Sequence, residues 1–143
     1  MILNLFNKLY LGDNGSYLLG FLFAYLLIKL HVTNNIISPY FIILLLWYPA
    51  MEILFSIIRK KLKNKSPMLP DNEHLHQLVF KKLNKKIDKK LLSNIITALI
   101  INFYNLNIFI IGSKFYNNHG YLIILITINV FIYLISYIIL RRN

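Results

Sequence analysis

The 143-residue sequence has no cysteine, which excludes a disulfide scaffold and thiolate metal sites. Acid is nearly as scarce, with 5 Asp and Glu against 16 Lys and Arg. Polar surface is in short supply too. The chain is 57% hydrophobic with a mean hydropathy of +0.58, too apolar for a soluble domain of this size or a disordered chain. Charge is absent from long stretches, because 11 of the 16 basic residues fall within residues 59–90. Segregation of this kind marks an integral membrane protein with one basic loop. The formal charge of +11 therefore needs no nucleic acid partner to explain it. No internal repeat is visible. The N-terminus lacks a charged n-region and a small-residue cleavage site, so no signal peptide is expected. The 25 Ile, 16 Asn and 13 Lys against 3 Arg carry the bias of AT-rich coding, which weakens any isolated Asn or Lys as a signal.

What remains is four apolar segments, at about 16–30, 39–58, 91–111 and 121–140. They predict an all-α, polytopic membrane protein: four transmembrane helices in one domain over residues 1–143, with a basic cytoplasmic loop at 59–90. The first segment is short for a crossing of about 20 residues unless Tyr10 and Leu11 help. Pro39 suits a first helical turn, and Gly112 and Gly120 punctuate the turn between the last two helices. The positive-inside bias puts 59–90 in the cytoplasm, and alternation puts both termini there as well. On the third helix Asn94, Thr97, Asn102 and Asn105 fall within an arc of about 140°, a face expected to meet protein rather than lipid.

Three short constellations carry chemistry. In Gly12-Asp13-Asn14-Gly15-Ser16, two glycines around an acid permit a tight turn, and Ser16 can cap the helix that follows. The Asp13 carboxylate there can hold Mg²⁺ together with substrate phosphate oxygens; an ordinary loop and helix cap is the simpler account of these residues alone. In Pro49-Ala50-Met51-Glu52, the acid lies seven residues before Arg59, roughly 10 Å below the cytoplasmic end at helical rise. An acid at that depth points to a protein-facing or water-facing functional position, or to one that snorkels or bonds a neighbouring helix. In Pro70-Asp71-Asn72-Glu73-His74-Leu75-His76-Gln77, Asp71 or Asn72 can cap a short amphipathic helix on the membrane surface. Its apolar face is Leu75, Leu78, Val79 and Leu83. His74 and His76 can donate to phosphate oxygens, act as acid and base, or bind metal. As metal ligands they are weak, because i and i+2 on a helix face nearly opposite ways.

In order, these segments resemble the bacterial glycosyltransferase-4-like family of polyprenyl-phosphate N-acetylhexosamine-1-phosphate transferases. Gly12-Asp13-Asn14-Gly15-Ser16-Tyr17-Leu18-Leu19-Gly20-Phe21 is similar to the family's signature, and Pro49-Ala50-Met51-Glu52 resembles its Pro-x-x-Asp helix. Pro70 to Gln77 is similar to its Asp-x-x-His-x-His-His loop. The resemblance covers residues 5–85, and the last two helices by hydropathy alone.

It implies a Mg²⁺-dependent bacterial inner-membrane enzyme of cell-envelope polysaccharide synthesis. Its partners would be a UDP-N-acetyl sugar, polyprenyl (undecaprenyl) phosphate and the bilayer. It implies Asp13 as the catalytic, metal-binding acid and His74 and His76 as substrate contacts. Gly12, Gly15 and Ser16 would line the same site, with Glu52 and Gln77 in support. Gln77 stands where the family has its last histidine. The family's upstream Asp-Asp cluster and Asn/Asp loop have no counterpart here. The expectation is therefore a C-terminal part that is not active alone and needs a separate N-terminal half. A non-enzymatic four-helix membrane protein, transporter-like or an assembly subunit, is the rival reading. A proton-coupled exporter of that kind would want an acid nearer mid-membrane than Glu52.

Overall fold

The computed structural model describes residues 12–66 and 71–142, leaving the side chains of Asp13 and Asn14 outside the description. All regular structure in these residues is helical: α1 (Gly12–Thr33), α2 (Pro39–Leu45), α3 (Trp47–Leu62), α4 (Leu75–Ile87), α5 (Lys90–Ser113) and α6 (His119–Arg142). By length and apolarity α1, α5 and α6 can each cross a membrane, and α2 with α3 makes a fourth candidate crossing, bent by 71°. The helices run a few residues past the expected bounds at nearly every end.

The expected straight span over 39–58 is instead two helices, and Pro49 is the cause. Proline has no N–H to give the Leu45 carbonyl, and its ring crowds that carbonyl. The first helix therefore stops at Leu45. The next begins at Trp47, with Pro49 in its first turn, where no N–H is missed. Leu46 bridges the junction at φ −105° and ψ 4°. Its amide donates to the Ile43 carbonyl at 3.2 Å, and its own carbonyl accepts from Ala50 at 3.1 Å. Ser38 caps α2, its hydroxyl accepting from the Tyr40 amide, with Pro39 in the first turn as expected.

Two glycine expectations change. The tight turn at 12–15 reduces to Gly12, whose φ of +67° favours glycine. Gly15 and Ser16 already lie inside α1, and Ser16 Oγ donates back to the Gly12 carbonyl at 2.9 Å instead of capping. Gly112 and Gly120 sit within α5 and α6, not in the turn between them. Gly112 serves packing, since a Cβ there would run into the buried Leu44 side chain.

Leu44, Trp47, Ile108, Leu122 and Tyr133 form the core, where α2 packs on α5 and α6. At one end of the bundle the two short connections meet: the Ser38 amide donates to the Tyr116 carbonyl at 2.9 Å, and Ser38 Oγ pairs with His119 Nδ1 at 2.7 Å. Helix α4 packs across α5 and α6 with Leu75, Leu78, Val79 and Leu83 half-buried and Lys81, Lys85 and Lys86 exposed. The expected polar face of α5 is only half present. Thr97 and Asn105 turn inward and donate to the Ser93 and Ile101 carbonyls, whereas Asn94 and Asn102 are exposed. The buried face is centred on Ser93, Thr97, Ile108 and Gly112, and Asn102 lies about 120° round the helix from Ile108.

Candidate functional site

The site is organised by one stripe of α3. Tyr48, Glu52, Ser56, Arg59 and Lys63 recur at intervals of three or four residues, so they share a helix face. That face receives the segment leading into α4. Glu52, 7% exposed, is the deepest anchor. Its Oε1 accepts from Tyr48 Oη at 2.9 Å and from the Leu75 amide at 3.1 Å, and its Oε2 accepts from His74 Nδ1 at 2.8 Å. One turn on, the Ser56 hydroxyl and the Arg59 guanidinium both hold the Asp71 carboxylate. Arg59 Nη1 also donates to the Glu73 carbonyl at 3.0 Å and to Tyr137 Oη at 3.1 Å. Lys63 Nζ closes the row on Glu73 at 2.9 Å. The Arg59 guanidinium further lies 5.6 Å from the Phe55 ring centroid and 5.3 Å from that of Tyr137.

These partners set the protonation of the two loop acids. Burial pushes the Asp71 carboxyl up, but the Ser56 hydroxyl, the Glu73 amide and the Arg59 charge outweigh it and hold its pKa at about 2. The Lys63 hydrogen bond, against some burial, keeps Glu73 below the ordinary carboxylate range.

The helix cap differs from expectation. His74, not Asp71 or Asn72, is the N-cap of α4, and its amide donates to Gln77 Oε1 at 3.1 Å. Asp71 and Asn72 are too far upstream, and the Asp71 carboxylate is already committed to α3. Because His74 is extended (φ −68°, ψ 151°), the opposed directions expected of i and i+2 do not arise. The His74 and His76 rings stack instead, with centroids 5.5 Å apart and planes within 11°. A carboxylate can only accept, so Glu52 fixes the His74 proton on Nδ1 and leaves Nε2 as the ring's working atom, 3.9 Å from Asp71 Oδ2. His76 is freer: its side chain is 51% exposed, with Nδ1 3.7 Å from Glu52 Oε1. It borders a groove of about 370 Å³ lined also by Gln77, Phe80, Lys90, Leu91, Asn94 and Thr97, with no carboxylate among them. Such a lining suits an anionic group.

No group of three or more His, Asp or Glu among the described residues can hold a metal ion. Glu52, Asp71 and Glu73 each spend their oxygens on cations or N–H and O–H donors, so these residues do not fit a Mg²⁺ site. The Asp13 assignment lies outside the described side chains. Gly12 and Ser16 are exposed and Gly15 half-buried at the start of α1. Among the described residues no hydrogen bond or ion pair joins these three to His74 or His76.

The undecaprenyl-phosphate alpha-N-acetylglucosaminyl 1-phosphate transferase of Thermotoga maritima is 33% identical to this chain over 140 residues, covering 95% of the chain and 41% of that protein. The chain is homologous to these transferases. Enzymes of the same name from Salmonella typhi and Escherichia coli K12 are 33% and 31% identical over 75 residues, 52% of the chain and 20% of each relative. The chain thus spans about two fifths of the length of the Thermotoga relative and one fifth of the other two. No protein-family model and no solved structure matches it.

For a relative of the transferases, the residues that sequence reasoning passed over are Tyr48, Ser56, Arg59 and Tyr137, together with Asp71 as the point of attachment. Their signal was present in the spacing. Polar side chains recurring every three to four residues through an otherwise apolar helix mark a face that meets protein.

Proposed function

We propose that this chain is one membrane domain, the C-terminal part of a transferase that moves N-acetylhexosamine-1-phosphate from a UDP-sugar to polyprenyl phosphate for cell-envelope polysaccharide. In this reading it sits in a bacterial inner membrane, with both termini and the 59–90 loop in the cytoplasm. The observation that carries it is the clamped histidine. His74 is held by Glu52 and faces Asp71, beside an exposed His76 and a groove without acids.

A phosphate oxygen of the lipid attacks the β-phosphorus and forms a new P–O bond. The bond to the oxygen bridging the α- and β-phosphates breaks, and UMP leaves with that oxygen. Charge accumulates on the transferring group, and fixed donors stabilise it without reorganising. His76 is such a donor, His74 joins it through Nε2 when its ring carries a second proton, and the basic loop concentrates the anionic substrates. Mg²⁺ belongs to this reading through Asp13 alone, and a separate N-terminal half supplies the remaining ligands.

The test is a chimera in which this chain replaces the matched 140-residue stretch of the Thermotoga relative. The chimera should release UMP from UDP-N-acetylglucosamine and polyprenyl phosphate, and the 143-residue chain alone should not. Asp13→Asn and His74→Ala should each lower turnover by at least about a hundredfold, the scale of a lost transition-state donor. A folded but inactive chimera, or normal turnover by both variants, would overturn the assignment.

A further inference from the structure

Helix α4 has a second flank that the histidine site does not use. Leu78, Lys82 and Lys85 lie roughly opposite His76 round the helix, and there α4 meets the end of α6 around a cavity of about 530 Å³. Lys82 and Lys85 of α4 and Arg141 of α6 line it, together with Leu78, Phe80 and Leu140. Glu73 is the acid among the lining residues, and Lys63 Nζ at 2.9 Å and Arg59 Nε at 3.4 Å already neutralise it. Cations from two helices thus share one hollow with no uncommitted carboxylate between them. Like charges held together in this way call for a counter-ion.

A second cavity of about 240 Å³ continues from the first, with Leu140 in the wall of both. It lies between Leu75 and Val79 of α4, Ile100 and Tyr104 of α5, and Ile132 and Ser136 of α6, and no charged residue lines it. Ile100 and Ile132 are 49% and 42% exposed, so the cavity opens sideways to the bilayer. Ile132 stands nine residues before Arg141, about 14 Å deeper at helical rise. Half the hydrocarbon thickness is about 15 Å, so the two cavities together run from the charged surface of one leaflet to its middle.

We propose that the paired cavities hold one anionic diacyl phospholipid from the leaflet on the basic side of the membrane. Its phosphodiester sits among Lys82, Lys85 and Arg141, and one acyl chain fills the apolar cavity beneath. Charge alone suits any phosphate; the apolar cavity below it selects a phosphate that carries a hydrocarbon chain. The headgroup neutralises both helices at once, so the lipid ties α4 to α6 and steadies the segment 71–75 that leads into α4.

Trp47 is the only tryptophan in the sequence and lines the apolar cavity, so its fluorescence reports the occupant. In phosphatidylcholine vesicles, phosphatidylglycerol with brominated acyl chains should quench Trp47 at a small fraction of the total lipid and then saturate. Brominated phosphatidylcholine should quench only in proportion to its amount. Lys82→Gln with Arg141→Gln should weaken the phosphatidylglycerol effect about thirtyfold, two lost charges at about fivefold each. Lys61→Gln with Lys89→Gln removes as much charge from outside the cavities and should leave it unchanged. Ser136→Phe should fill the apolar cavity and abolish the saturating phase, with helicity checked by circular dichroism. Unbrominated phosphatidylglycerol should restore the fluorescence, whereas inorganic phosphate and polyprenyl phosphate should not. Equal quenching by the two brominated lipids, or an undiminished preference in Lys82→Gln with Arg141→Gln, would overturn the proposal. So would relief by inorganic phosphate, which marks a free-anion site, or by polyprenyl phosphate, which would assign the cavities to the transferase's own lipid substrate. None of these readouts needs transferase activity, so their failure is separable from failure of the functional reading.

Discussion

Arg59→Met tests whether the histidine loop is held by charge. The Arg59 side chain is 7% exposed and its Asp71 partner 9%, so removing the guanidinium strands a carboxylate in a poorly hydrated place. Breaking one side of a buried pair costs about 3–5 kcal/mol, much of it the penalty on the charge left behind. If that cost falls on docking of the loop, opening becomes more frequent by a factor of about 10² to 10⁴. The Leu75 amide reports this directly. It donates to Glu52, not to either partner of the broken pair, so its hydrogen exchange follows docking rather than the loss of its own acceptor. Exchange in lipid nanodiscs should speed up by that factor in Arg59→Met. In Arg59→Met with Asp71→Leu, no charge is stranded, and the cost should shrink to about 1–2 kcal/mol, the lost hydrogen bonds. The gap between single and double variants is the signature. Equal exchange in the two variants, or protection in Arg59→Met like that of the parent, would refute the reasoning.

Docking should also fail in acid. Asp71, at about 2, and Glu73 are both held below their ordinary values. Their contribution is therefore complete above about pH 4 and disappears as pH falls towards about 2, with about 2 kcal/mol at stake from Asp71. Pepsin, active throughout that window, should cut between Asn72 and Leu78 increasingly as pH drops, and flat cleavage would count against the ion pairs. At the other end of the bundle, Gly112→Ala should cost about 1–3 kcal/mol in reversible unfolding, because its methyl meets Leu44. The cost should be smaller in a Leu44→Ala background, and equal costs would show that the close approach is unimportant.

The helices were legible because hydropathy and segregated charge report the bilayer directly, and the match of α1, α5 and α6 to apolar segments needs nothing more. The break in the second span was harder to see. Pro49 was visible, but proline inside a span can kink, terminate or be absorbed, and only the packing of α2 on α5 and α6 decides among them. Gly112 read as a turn signal because glycine is ambiguous between a loop and a close approach; the nearby Leu44 settles which. At the site, Glu52, His74, His76 and Gln77 were legible from motif. Arg59 was hidden among neighbouring lysines, where a buried cation and a solvated one look alike. Ser56 carried no signal by itself, since a serine inside a membrane helix commonly satisfies its own backbone.

The charge arrangement explains why the two histidines are held so differently. Glu52 and Arg59 both lie on α3 with little exposure, and each would be costly unpaired. The segment 71–75 supplies what each requires: a histidine N–H and a backbone amide for Glu52, a carboxylate and a carbonyl for Arg59. The loop is therefore part of the bundle's own electrostatic balance rather than a tether between spans. His74 inherits that constraint, since turning its ring away would leave Glu52 without its closest donor. His76 carries no such obligation; its ring stacks on His74 and opens on the groove beside Lys90 and Asn94. One imidazole is fixed by the fold and the other is free to turn. Glu52→Gln would remove the distinction by weakening the hold on His74, while leaving a carbonyl oxygen for the Leu75 amide.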